Sequence, residues 1–278
     1  MMRFASFSVK GHDSWGLVAG GRVSLLHERW ATIRDAIEAG ALGDAGMVSG
    51  APTAGLEEIV WRPVIPHPGK ILCVGLNYED HRKETGRAEV ANPTIFIRFA
   101  DSQTAHRAPL LMPSVSDRLD YEGELAVVIG TGGRAIPAAS ALAHVAGYAC
   151  YNDGSVRDWQ NHTIQFTPGK NFPETGAFGP WLVTPDEFGA LGPQRLQTRL
   201  NGRIMQDATL ADMIFSVPRL IEYISTFTPL SPGDVIVSGT PGGVGAKRQP
   251  PVFMAVGDVV EVEIDGIGVL ENRIARAR

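Results

Sequence analysis

Apolar runs of strand length recur along this chain, while stretches with helical spacing are few, and that imbalance limits the available folds. Runs of this kind occupy 71–76, 94–99, 125–129, 145–151, 181–184 and 235–238. The 32 glycines and 19 prolines supply the turns between them. Two hairpins carry specific turn chemistry. Asn201-Gly202 lies between Leu196–Leu200 and Arg203–Met205, and Asp265-Gly266 lies between Val259–Ile264 and Ile267–Leu270; both dipeptides tolerate the positive φ of tight turns. One helix stands out near the end. Ser216 can cap it, Pro218 suits its first turn, and Leu220, Ile221 and Ile224 supply an apolar face. Helices this sparse do not fit a regular βαβ repeat. The pattern predicts a mixed α/β, predominantly β body.

The first sixty residues read as a small α+β unit. Alternation at 4–9, 15–18 and 23–26 predicts short strands, and Trp30, Ile33 and Ile37 fall at helical spacing until Gly40. The proline-rich stretch Pro63–Gly69 marks a boundary. We therefore divide the chain into a small N-terminal domain, 1–62, and a larger domain, 63–278.

Composition narrows the function. A net charge of -5, with no basic tract, argues against nucleic acid. No apolar stretch approaches the roughly 20 residues that cross a bilayer, so no membrane partner is expected. The N-terminus lacks a secretory signal, and Cys73 and Cys150, each inside an apolar run, read as buried thiols. A cytoplasmic location is the expectation.

The most informative segment is Asp120-Tyr121-Glu122-Gly123-Glu124, which leads straight into the apolar run 125–129. In extended chain, residues two apart share a side, so Glu122 and Glu124 converge. Like charges held close in poor solvent repel, and a cation relieves them. Asp153, at the end of another apolar run, is the natural third member. Oxygen ligands without cysteine point to a hard ion, Mg²⁺ or Mn²⁺. The plainer reading, in which these acids line a solvated edge, stays open from the residues alone.

Further candidates flank the trio. On a helical turn His81 and Glu84 would be neighbours, and a carboxylate beside imidazole strengthens it as a base; an ordinary surface pair is equally compatible. Lys170, in a turn-rich loop, can stabilise an oxyanion or simply sit in solvent. Arg157, Asp158 and Gln160 follow Asp153 closely, and they can orient substrate or support the ligands. Gly239–Gly245 ends a strand and exposes backbone donors suited to a carboxylate, but lacks the Lys-Ser/Thr of a phosphate loop.

Taken in order, these segments resemble the fumarylacetoacetate hydrolase superfamily. The resemblance rests on Lys70–Tyr78 with His81 and Glu84, Tyr121–Leu125, Asn152-Asp153, Arg157–Gln160, Gly169–Phe172, Gly179–Trp181, Asn201-Gly202, Pro232–Asp234 and Gly239–Gly245. It implies a mixed β-roll catalytic domain, a homodimer, and Mg²⁺ or Mn²⁺ on Glu122, Glu124 and Asp153. It also implies His81, Glu84 and Lys170 as catalytic groups, and we place Tyr78 and Thr240, within matched segments, on the substrate. One stretch departs from the family: Arg98 stands where many members have lysine. Arg98, His106 and Arg107 are accordingly expected to help select the substrate.

The resemblance implies a small 2-oxo acid as substrate. The leading expectation is hydrolytic C–C cleavage of an acylpyruvate-like 2,4-dioxo acid, releasing pyruvate and a carboxylic acid. In it His81 activates water, and Lys170 with Gln160 stabilises the oxyanion. The alternatives are an isomerase or hydratase acting on an unsaturated 2-oxo diacid, of the 5-carboxymethyl-2-hydroxymuconate or 2-hydroxyhepta-2,4-diene-1,7-dioate type, or an oxaloacetate decarboxylase. A non-enzymatic binding protein is the rival from another class.

Overall fold

Strands form where the apolar runs lie, because a pleated segment covered on both faces can be apolar at every position. In the computed structural model, which describes residues 2–277, they assemble into three sheets. The largest has twelve strands. Ten follow in the order Thr53–Gly55, Arg22–Leu25, His12–Ala19, Arg3–Val9, Gly176–Val183, Val145–Asp153, Gly123–Ile129, Val235–Val237, Ile71–Gly75 and Thr94–Arg98. A five-stranded sheet runs Arg203–Thr209, Arg195–Leu200, Val259–Ile264, Gly268–Arg276, Leu110–Met112. A two-stranded ribbon pairs Leu119–Asp120 with Ser155–Val156.

Strand Gly123–Ile129 is buried at every residue. The pleat sends Leu125, Val127 and Ile129 to one core, shared with Val262, Ile264, Leu220 and Ile224. Ala126 and Val128 go to the other, with Phe4, Trp15, Ile33 and Ile37. Each fully buried Leu, Ile or Val contributes about 1.5–3 kcal/mol, so one residue of slip would forfeit both cores. The register is therefore firmly set, and with it the direction of the acids at the strand's start.

The helix over 33–38 carries a Thr32–Asp35 capping box, and Gly40 lies just past its end at φ 67°. Residues 1–62 are not held apart from the rest: Arg3 and Phe4 pair with Val183 and Leu182 in the large sheet. The late helix spans Val217–Phe227 and buries Leu220, Ile221 and Ile224. Ser216 occupies its N-cap but makes no side-chain cap bond. At Asn201-Gly202 both residues have positive φ, as a two-residue turn requires. The other hairpin differs from expectation. Its loop is Asp265–Ile267, Ile264 pairs with Gly268, and of the loop residues only Gly266 is at positive φ. Cys73 and Cys150 are buried free thiols.

Candidate active site

Strand pairing brings the three acids together. Gly123 pairs with Asn152, and the Asp153 amide donates to the Glu122 carbonyl at 2.8 Å, so the strand that starts in the apolar run 145–151 extends through Asp153. Glu122, Glu124 and Asp153 are buried, and one oxygen from each lies within 4.8 Å of the others. They share the sheet face of Ala126, Val128 and Tyr151.

Cations hold two of the three. Lys170 Nζ sits 2.6 Å from Glu122 and 2.6 Å from Asp153. Arg157 donates to Glu122 at 2.7 Å, and Arg98 to Asp153 at 2.6 Å. Burial pushes the Glu122 carboxyl up, but Lys170 and Arg157 outweigh it and hold the group down at about 2. Glu124 goes the opposite way. Burial first, then the charges of Asp153 and Glu122, push its carboxyl well above the ordinary range. It accepts the Gly239 amide at 2.5 Å, and among the described residues it joins no ion pair. An all-oxygen donor set with one undercompensated carboxylate fits a divalent cation, which would favour the ionised form of all three.

The trio opens on a cavity of about 410 Å³, with Glu122, Glu124 and Lys170 in its wall. His81, Arg157, Gln160 and Thr240 line it too. His81 lies on the helix Glu79–Thr85, where Nδ1 meets Glu84 Oε1 at 2.7 Å. The other Glu84 oxygen accepts the Gly243 amide at 2.9 Å. Partial burial pushes the Glu84 carboxyl up, but the bonds from His81 and Gly243 outweigh it and leave the group below its ordinary value. Thr240 donates to the Gly123 carbonyl and accepts from Gln206, so its hydroxyl is tied to the strand that carries the glutamates.

Other residues lie elsewhere. Arg98 is buried behind Asp153, not in the cavity wall. Its guanidinium is consumed by Asp153, Gly154, Ser102 and Thr175, so it braces an acid and is not placed to select substrate. His106 packs edge-on against Trp61 at 5.1 Å and accepts the Glu271 amide. Burial, then the Arg107 charge, hold its imidazole down at about 4, in a neutral form remote from the cavity. Exposed Arg107 is likewise absent from the cavity wall. Tyr78 lines a separate cavity of about 370 Å³, together with Glu84 and Gly243. The Lys170 ammonium is engaged by two carboxylates, and their charges outweigh burial to keep it protonated.

Sequence reading missed Asp120, which is fully buried. It accepts from the amides of Tyr121, Gly245 and Ala246 and from Arg157. Its position two residues before Glu122 was the available signal. Arg118 and Lys247 also line the cavity, and nothing local in the sequence distinguishes them from surface cations.

A predominantly β fold with a buried acidic trio beside a cavity defines an enzyme built around a carboxylate centre suited to a divalent metal. The chain belongs to the fumarylacetoacetate hydrolase family, whose model, Fumarylacetoacetate (FAA) hydrolase C-terminal, matches residues 70–275. It is 39% identical over 225 residues to the oxaloacetate tautomerase FAHD2A, mitochondrial, of Bos taurus, covering 80% of this chain and 72% of that one. Its fold matches fumarylacetoacetate hydrolase (EaFAH) from psychrophilic Exiguobacterium antarcticum with a TM-score of 0.89, at 33% identity over 100% of both chains. It also matches 2-hydroxyhepta-2,4-diene-1,7-dioate isomerase from Mycobacterium marinum with a TM-score of 0.80, at 28% identity over 99% of each chain.

These relatives correct two expectations. Hydrolytic C–C cleavage is overturned, because the relative with the higher identity is a tautomerase and another is an isomerase. The same site residues serve either reaction, so the residues alone could not separate them. The cytoplasmic expectation is also set aside: it rested on a missing signal, and the tautomerase relative is mitochondrial by name. Among the described residues, no helix is long and apolar enough to cross a membrane.

Proposed function

We propose that this chain interconverts the enol and keto forms of a 2-oxo acid of the oxaloacetate kind. The reading is carried by one observation: His81, bonded to Glu84 behind it, stands in the same cavity wall as Glu122 and Glu124 of the acidic trio. Enol–keto exchange moves one proton between the 2-oxygen and C3, and no carbon–carbon bond breaks. Glu84, ionised and bonded to Nδ1, keeps that nitrogen protonated and leaves Nε2 as the acceptor. His81 Nε2 takes the proton from one substrate atom and returns it to the other. Arg157 and Gln160 orient the acid, and Lys170 fixes Glu122 and Asp153 while adding positive charge near the 2-oxygen. Glu122, Glu124 and Asp153 would hold Mg²⁺ or Mn²⁺, which when bound supplies Lewis-acid polarisation of the 2-oxo-carboxylate end.

The chemistry is assigned to residues 63–278, with 1–62 as a small N-terminal unit; every residue named at the site lies beyond 62, which supports that division. A homodimer is the proposed working form, on the family resemblance. A solution mass twice 29.8 kDa is its signature.

Stopped-flow decay of the oxaloacetate enol absorbance, followed alongside pyruvate, tests the reaction. The enzyme is expected to speed enol loss without producing pyruvate, and His81→Ala to slow it by about 10²–10⁴-fold. Pyruvate appearing in step with enol loss would refute the reading. For the metal, Mg²⁺ or Mn²⁺ at about 100 times its Kd is expected to raise stability by about 2.7 kcal/mol. Glu122→Gln should abolish that gain in thermal melts.

A further inference from the structure

We infer that Arg118 and Lys247 bind a second carboxylate, making the enzyme selective for 2-oxo diacids over monoacids. This rests on the proposed reading of the cavity as a 2-oxo acid site. The charge lining that cavity is divided. In the inner wall each cation is consumed: Lys170 by Glu122 and Asp153, Arg157 by Asp120 and Glu122. At the solvent side, exposed Arg118 and Lys247 line the same cavity, and exposed Arg87 lines it too. Among the described residues, none of these three enters an ion pair (those of the cavity wall involve His81, Lys170 and Arg157).

One unpaired surface cation is ordinary. Arg118 and Lys247, rising from separate segments beside the same buried Asp120–Arg157 pair, form a complement to an anion. Their backbones are also anchored, and to the same buried pair. The Arg118 carbonyl accepts the Arg157 amide at 3.0 Å, and its own amide donates to Ser116, whose hydroxyl donates to Asp158. Just before Lys247, the amides of Gly245 and Ala246 both donate to Asp120 at 2.9 Å. The Met254 amide ties the far end of that loop to the Leu119 carbonyl at 2.9 Å. Both side chains therefore spring from fixed points on the Asp120–Arg157 pair. Phe166, Pro251 and Phe253 share the lining, and apolar walls strengthen a charge pair by lowering the local dielectric. The first carboxylate of the substrate belongs at the acidic trio with the 2-oxo group. A second anion has its counter-charges here.

Calorimetric titration of the Mg²⁺-loaded protein tests this with two inert probes. Oxalate supplies the reactive end alone, and 2-oxoglutarate adds a second carboxylate. In the Arg118→Ala/Lys247→Ala double variant, the affinity ratio of 2-oxoglutarate to oxalate is expected to fall about tenfold. Arg118→Lys, which keeps the charge, should retain most of the ratio. Raising the salt should erode the preference in the wild type. A ratio within twofold of wild type in the double variant, or an equal loss for both probes, would overturn the proposal. If oxaloacetate is not tautomerised but the ratio still falls, the proposed reaction is wrong and the second-carboxylate site stands.

Discussion

Glu84 acts through two bonds that a neutral amide cannot reproduce. Its carboxyl is held below its ordinary value near 4.5, so the stability it contributes is fully present above that pH and is lost as pH falls through the lowered folded value. The stability gap between wild type and Glu84→Gln in urea melts is therefore expected to be constant from pH 7 to about pH 5 and to shrink below it. A gap independent of pH would mean that the charge of Glu84 contributes nothing to folding. Arg98 makes the same point by its shape. One guanidinium donates to four residues, Asp153, Gly154, Ser102 and Thr175. A lysine carries the charge but not that planar set of donors.

At the scale of elements, the far end of the glycine-rich loop after Val235–Val237 is held by the buried carboxylate of Asp120. Asp120 joins it to Arg157, and Arg157 joins it to Glu122. Asp120→Ala would leave a largely buried guanidinium short of a partner, with an expected loss of about 3 kcal/mol in stability. Amide exchange at Gly245 and Ala246 should accelerate at the same time, which hydrogen-exchange mass spectrometry would detect. Gly123 makes a second demand on the elements. A Cβ there would lie 2.1 Å from Thr198 Oγ1, so the close approach of the five-stranded sheet to the glutamate strand depends on glycine between the two acids. The strand that requires this glycine, Arg195–Leu200, lies more than seventy residues further along the chain.

For the whole molecule, the large sheet is continuous across position 62 through the pairing of Arg3–Val9 with Gly176–Val183. Removing 1–62 would uncover an edge of Gly176–Val183 and the core face formed by Phe178 and Leu182. Exposed edges and apolar faces template association, so the chain 63–278 is expected to elute as aggregates in size-exclusion chromatography. A monodisperse, cooperatively melting fragment would show that the N-terminal unit is dispensable for folding.

The sequence by itself determined the elements and the acids. Strand and helix periods, the Asn201-Gly202 turn, and Glu122 with Glu124 at the start of a buried strand are local patterns, and local sterics and solvation decide them. Tertiary structure alone decided which cations face which acids. It set Arg98 behind Asp153 instead of in the cavity, Tyr78 on a different cavity, and His106 against Trp61. It also joined Asp120 to a loop more than 120 residues away. The reason is physical: a side chain's partner depends on strand register and on sheet-to-sheet packing, and these are set by burial summed over the whole chain, not by the residue's own neighbours.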